Sequence, residues 1–168
     1  MVKKIALEEH FLSPGFEDYW KTTAGEIALE IYRQAAARLV EFGDLRLAVM
    51  DRGGVERAVL SIAGPGVQIE RDTATAVRRA RESNDFLARE VQKRPDRYSG
   101  FAHLAMQDGK AAAAELERAM REHGIADYHS IALAVLEVDG SISMMKYDDI
   151  KPTASTHLAR RKFLQKKT

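Results

Sequence analysis

The sequence predicts an α/β fold in which parallel strands alternate with helical crossovers, and three observations carry it. Short apolar runs begin at Ile5, Val55 and Tyr98, and the intervals between them place apolar residues at helical spacing. That order implies a parallel sheet with helical crossovers. Glu8 and His10 stand where the first run ends, and the carboxyl ends of strands are where barrel enzymes build their sites, which favours a barrel over a doubly wound open sheet. Length sets the extent: a full barrel takes about 250 residues, so this chain has room for roughly four or five βα units. The expectation is a partial (β/α)8 barrel of the TIM type.

The first strand reads Lys3-Lys4-Ile5-Ala6-Leu7-Glu8-Glu9-His10-Phe11. Side chains alternate across a strand, so Glu8 and His10 are expected on one side and Leu7, Glu9 and Phe11 on the other. A carboxylate beside an imidazole makes half of a metal site suited to zinc or manganese, and further His or Asp ligands would have to come from elsewhere. Glu9 faces away and fits no ligand role.

Pro14 and Gly15 interrupt the next stretch, where Phe11, Phe16, Tyr19 and Trp20 crowd together. Such aromatics serve as a lid on the core or as a pocket wall for a flat substrate. Ile27, Ile31, Ala35, Leu39 and Phe42 then repeat at helical spacing over residues 26 to 42, and a short helix follows from Asp44 to the stop at Gly53-Gly54. Residues 55 to 62 read as a strand buried on both faces.

The turn from Ala63 to Gln68 lacks the spacing of a dinucleotide fingerprint and reads as a tight loop. Asp72 caps a long helix from Thr73 to about Lys93, whose arginines are balanced by Glu82, Asp85 and Glu90. Tyr98 to Leu104 is the third strand, with His103 at its exit. Asp108 opens another helix running to His123-Gly124, and residues 131 to 145 predict a hairpin about Asp139-Gly140.

Composition narrows the chemistry. There is no cysteine, which removes disulfides, Cys-ligated zinc and thiol nucleophiles. Net charge is +1, but residues 151 to 168 hold six Lys or Arg and no acid, leaving 20 basic against 25 acidic residues in the body. The basic tail is read as a solvated terminus, so nucleic acid is not expected as a partner. No apolar run approaches membrane-spanning length and no signal peptide is apparent, so no membrane partner is expected and the default location is cytoplasmic.

Several segments together resemble a known family. They are Ile5 to Phe11, the stretch Arg46-Leu47-Ala48-Val49-Met50-Asp51 leading into Gly54-Val55, the turn Ala63-Gly64-Pro65-Gly66-Val67-Gln68, and Arg94-Pro95-Asp96-Arg97-Tyr98 with Phe101-Ala102-His103-Leu104. In this order they are similar to the metal-dependent aromatic acid decarboxylases of the amidohydrolase superfamily, in particular the gamma-resorcylate (2,6-dihydroxybenzoate) and 2,3-dihydroxybenzoate decarboxylases. The resemblance covers residues 3 to 126. It implies a (β/α)8 barrel with one divalent metal, zinc or manganese, held by the first-strand Glu and His, a later His and a later Asp. Glu8 and His10 are the two ligands carried over. In such an enzyme the metal grips the carboxylate and ortho hydroxyl of the aromatic acid, and the later Asp protonates the ring carbon as carbon dioxide leaves.

From Asp127 the chain departs from that pattern, and the later His and Asp are not matched. His129 and His157 are the only histidines there that could replace a ligand. The expected organisation is thus residues 1 to 126 as the amino-terminal part of the barrel and residues 127 to 168 as a divergent segment with a basic tail. Two functions follow. One is a non-oxidative decarboxylase of hydroxybenzoate-type acids, incomplete as a single chain. The other is an inactive, truncated or frame-shifted fragment that covers its open strand edges by homo-oligomerisation.

Overall fold

The computed structural model describes residues 4–25, 27–122, 131–136 and 142–146. Its main sheet has three parallel strands in sequential order, β1 (Lys4–Phe11), β2 (Val55–Ile62) and β3 (Tyr98–Gly100). Helices α1 (Glu17–Ala24), α2 (Leu29–Leu39) and α3 (Asp44–Gly53) join β1 to β2, and α4 (Thr73–Lys93) joins β2 to β3. Helix α5 (Gly109–Glu122) follows β3. This is the expected order of βα units. Strands β4 (Ile131–Leu136) and β5 (Ile142–Lys146) pair antiparallel, as the hairpin reading predicted. The turn at Asp139-Gly140, His129, His157 and the basic tail lie outside the described residues.

Alternation along β2 explains the layering. Ala58, Leu60 and Ile62 are all buried on one face, where they join Phe11, Phe42, Ala76, Ala80 and Leu87 in a single core. Phe42 meets Phe11 edge-on at 5.8 Å between ring centroids and Tyr98 at 6.1 Å, a favoured aromatic geometry. The Tyr98 hydroxyl, fully buried, donates to the Phe42 carbonyl at 2.9 Å, so its polar end is satisfied inside that core. Where β3 meets α4 there is no room for a side chain: a Cβ on Gly100 would strike Leu87.

Helix boundaries follow local chemistry. Asp72 accepts from the Thr75 amide at 2.8 Å to cap α4, and Asp108 accepts from the amides of Lys110 and Ala111 ahead of α5. Asp44 begins α3, as its sequence reading has it, and lies within the helix behind the N-cap Gly43. Glu41 supplies the capping bonds, accepting from the amides of Gly43 at 2.5 Å and Arg46 at 2.8 Å. Gly54 closes α3 in the left-handed conformation, φ +67°.

Three differences from the sequence expectation stand out. The aromatic stretch after β1 is not all loop: Gly15 turns at φ +82° and α1 begins two residues later. Phe16, Tyr19 and Ala24 are buried, so docking onto the core makes this helix where Pro14-Gly15 had suggested none. Helix α2 is shorter than residues 26 to 42. Strand β3 ends at Gly100, and only His103 forms an isolated bridge beyond it. No helix among the described residues is long and apolar enough to cross a membrane.

Candidate metal centre

The carboxyl ends of β1, β2 and β3 carry the chemistry-bearing side chains. Pairing between β1 and β2 is regular from Glu9 to Phe11, with Glu9 opposite Leu60, His10 opposite Ser61 and Phe11 opposite Ile62. Just before it, Leu7 and Glu8 together face the single Val59, because the register moves by one between Ala6 and Glu9. An extra residue of this kind re-aims the side chains beside it, so the two-residue alternation expected across Leu7, Glu8 and Glu9 is interrupted there. The Glu8 side chain lies outside the described residues.

His10 is placed as the sequence predicted, on the face opposite Phe11 and the helices. Its Nδ1 lies 3.0 Å from the hydroxyl oxygen of Ser61. Ser61 is 3% exposed and interrupts the apolar run Ala58-Val59-Leu60-Ser61-Ile62. That interruption was the available sequence signal, but its meaning depends on knowing which residue β1 sets opposite it. The His10 backbone is held as well. Arg46, at the start of α3, donates through Nη2 to the His10 carbonyl at 2.9 Å and to the Arg38 carbonyl at 3.2 Å, and through Nε to the Glu41 carbonyl at 2.9 Å. Burial lowers the Arg46 pKa from its ordinary value, an effect opposed by the nearby Tyr98, Glu9 and Glu41.

His103 has a structural task. It is buried, and its Nε2 accepts from the Val67 amide at 3.0 Å. Asn84 grips its backbone from both sides, accepting from the His103 amide at 2.7 Å and donating to the His103 carbonyl at 2.9 Å. A backbone amide can only donate, so Nε2 carries no proton and its lone pair is engaged. Gly66 makes this approach feasible: it sits at φ +56°, and a Cβ there would come within 2.5 Å of His103 Nε2. The turn from Ala63 to Gln68 is thus the tight loop expected, closed by a short helical turn at Gly66–Ile69.

A second cluster ties α1 to the loops after β2. The Tyr19 hydroxyl donates to Glu70 Oε2 at 2.5 Å, and the Arg79 guanidinium lies 5.0 Å from the Tyr19 ring centroid while donating to the Gly15 carbonyl at 2.7 Å. Burial and this hydrogen bond push the Tyr19 pKa up to about 12. The Glu70 carboxyl is held below its ordinary value by the Tyr19 hydroxyl and by the Asp72 amide. The aromatic stretch after β1 is therefore largely lid and core.

Among the described residues, no group of three or more His, Asp or Glu side chains is gathered as a metal cluster. The donor chemistry nevertheless fits a divalent cation: the His10 imidazole is exposed at the end of the sheet, held at Nδ1, two residues from a strand position bearing a carboxylate.

Comparison with known proteins agrees with the fold. The amidohydrolase family model matches residues 10–127. A gamma-resorcylate decarboxylase from a Polaromonas species is 43% identical over 121 residues, which are 72% of this chain and 36% of that protein. Among solved structures, a 2,6-dihydroxybenzoate decarboxylase complexed with 2,6-dihydroxybenzoate is 40% identical with a TM-score of 0.68, covering 74% of this chain and 37% of that one. A dihydroxybenzoic acid decarboxylase from a Polaromonas species, with bound manganese and the inhibitor 2-nitroresorcinol, is 43% identical with a TM-score of 0.68, over 74% and 36% of the two chains. This chain thus spans a little over a third of the length of the relatives it matches. With the strand order and these likenesses in agreement, the chain belongs to the amidohydrolase family.

Proposed function

We propose that this chain supplies the opening βα units of a metal-dependent barrel that decarboxylates hydroxybenzoate-type aromatic acids without oxidation, with Glu8 and His10 as two of its metal ligands. The observation that carries this reading is the His10 imidazole at the carboxyl end of β1, on the face away from the helices and held by Ser61. A parallel barrel gathers its reacting groups at that end. A divalent cation, zinc or manganese, would act there as a Lewis acid and an orienting template for an aromatic carboxylate.

The chain's own residues prepare for that ion. Ser61 restrains the imidazole ring and Arg46 fixes its backbone. The remaining ligands are required from polypeptide beyond β1 to α5. The test compares the wild-type chain with Glu8→Gln and His10→Gln. Manganese uptake, read by elemental analysis after gel filtration, should be lost in both variants, and equal uptake by all three would refute the assignment. Carbon dioxide release from 2,6-dihydroxybenzoate is expected only where the later ligands are also present.

A second reading rests on a different observation. Ile5 and Leu7 are 62% and 67% exposed although they belong to a strand of the main sheet. Parallel sheets are ordinarily covered on both faces, so such apolar exposure favours a chain that self-associates. Light scattering separates the two. A stable metal-free homo-oligomer without decarboxylase activity would support this second reading, whereas a metal-loaded monomer would reject it.

A further inference from the structure

The contact between His10 and Ser61 holds a choice of proton. A hydroxyl can donate or accept, and a neutral imidazole carries its one proton on either nitrogen. If Ser61 donated to Nδ1, the His10 proton would sit on Nε2 and neither nitrogen would have a lone pair left for a cation. If Ser61 accepts, the proton sits on Nδ1 and the Nε2 lone pair is released. We infer that Ser61 is a positioning residue that accepts the Nδ1 proton of His10 and so presents Nε2 to the metal, an inference that rests on the metal-binding reading of His10 above.

Three features support the contact, and its direction follows from the metal-binding reading. First, Ser61 lies directly opposite His10 in the strand register and on the same face, so the sheet itself brings the hydroxyl to Nδ1. Second, Ser61 is a buried hydroxyl set into an otherwise apolar run, and a buried polar side chain needs a partner. Third, the His10 carbonyl is bonded to Arg46, which restrains the backbone as Ser61 restrains the ring. Metal-binding histidines ordinarily donate their second ring N–H to a neighbouring oxygen, and removing that oxygen typically costs about 10- to 100-fold in metal affinity. His103 provides an internal contrast: the Val67 amide occupies its Nε2 lone pair, so that imidazole is turned to packing.

The experiment uses the whole chain with its histidines labelled in nitrogen-15, His10 being assigned by the signal missing from His10→Gln. Long-range proton–nitrogen spectra of the metal-free chain, recorded about two units above the ordinary imidazole pKa of about 6.5, should show His10 protonated at Nδ1. Ser61→Ala should lose that preference, and Ser61→Thr, which keeps the hydroxyl, should restore it. Manganese titration, followed by paramagnetic broadening of the His10 signals, should give an affinity about 10- to 100-fold weaker for Ser61→Ala than for wild type or Ser61→Thr.

A wild-type His10 protonated at Nε2, or a Ser61→Ala chain with the wild-type tautomer and manganese affinity, overturns the inference about Ser61. The two failures separate cleanly. Absence of any manganese broadening at His10 in the wild type overturns the metal reading itself. Equal broadening in wild type and Ser61→Ala leaves the metal reading standing and removes only the role of Ser61.

Discussion

Arg46 joins three parts of the chain through one planar group. It bonds the carbonyls of His10, Arg38 and Glu41, and it lies 5.5 Å from the Phe42 ring centroid. A lysine cannot reproduce that fork, since its ammonium is a point donor on a flexible stem. Arg46→Lys should therefore lower stability by about 1.5–3 kcal/mol, the range for hydrogen bonds to charged groups, seen as a lower urea midpoint at an unchanged slope. Gly66 and Gly15 allow a paired test, as both have positive φ but only Gly66 faces an obstacle. Gly15→Ala should cost about 1–2 kcal/mol for the left-handed backbone alone. Gly66→Ala must also displace the His103 ring and should cost more, measured the same way. Glu8 and His10 were visible in the sequence because their chemistry is intrinsic to the residue types. Ser61 and Arg46 were not, because each acts across strand or loop partners 36 to 51 positions away.

At the scale of elements, the clasp between α1 and the loop after β2 has a pH signature. The folded chain holds the Tyr19 pKa up at about 12, above the ordinary 10, so folding favours the neutral phenol. Its contribution is complete below about pH 10 and is lost as pH rises toward 12. Tyr19→Phe should therefore show a shallower loss of stability between pH 10 and 12 than wild type, measured by denaturant unfolding across that window. Glu70 acts in the opposite direction. Its lowered pKa means a contribution present at neutral pH that declines in acid, below its ordinary 4.5. The start of α4 was legible in the sequence because the Asp72 cap is local. Helix α1 was not, since its N-cap Phe16 makes no side-chain capping bond and the helix depends on Phe16 and Tyr19 reaching the core. The third strand was overread for a related reason: Phe101 to Leu104 look like a strand, yet past Gly100 the backbone of His103 is bonded to the Asn84 side chain. Asn84→Ala removes the acceptor of a buried amide and should cost about 1–3 kcal/mol, again read from the unfolding midpoint.

At the scale of the molecule, the two faces of the sheet are finished differently. One is sealed by α4 and the aromatic core, while the other carries exposed Ile5 on the same side as Arg57, whose guanidinium donates to Ser99 Oγ at 3.0 Å. Replacing Ile5 and Leu7 by threonine puts a β-branched strand former at both positions and removes apolar exposure. Sedimentation velocity should then show less concentration-dependent association than wild type, with unfolding changed little. The alternation of strands and helices made the fold class legible, since it needs only local periodicity. What covers the open face was not legible, because local periodicity does not specify a distant partner.

Trp20 stacks on Tyr32 with ring centroids 4.7 Å apart, joining α1 to α2. As the chain has a single tryptophan, its tryptophan emission comes from one fluorophore seated where the polypeptide leaves the first strand. Excitation at the red edge of the absorption band therefore monitors that junction alone, and a shift in the emission maximum on adding an aromatic acid would report directly on a ligand arriving beside β1.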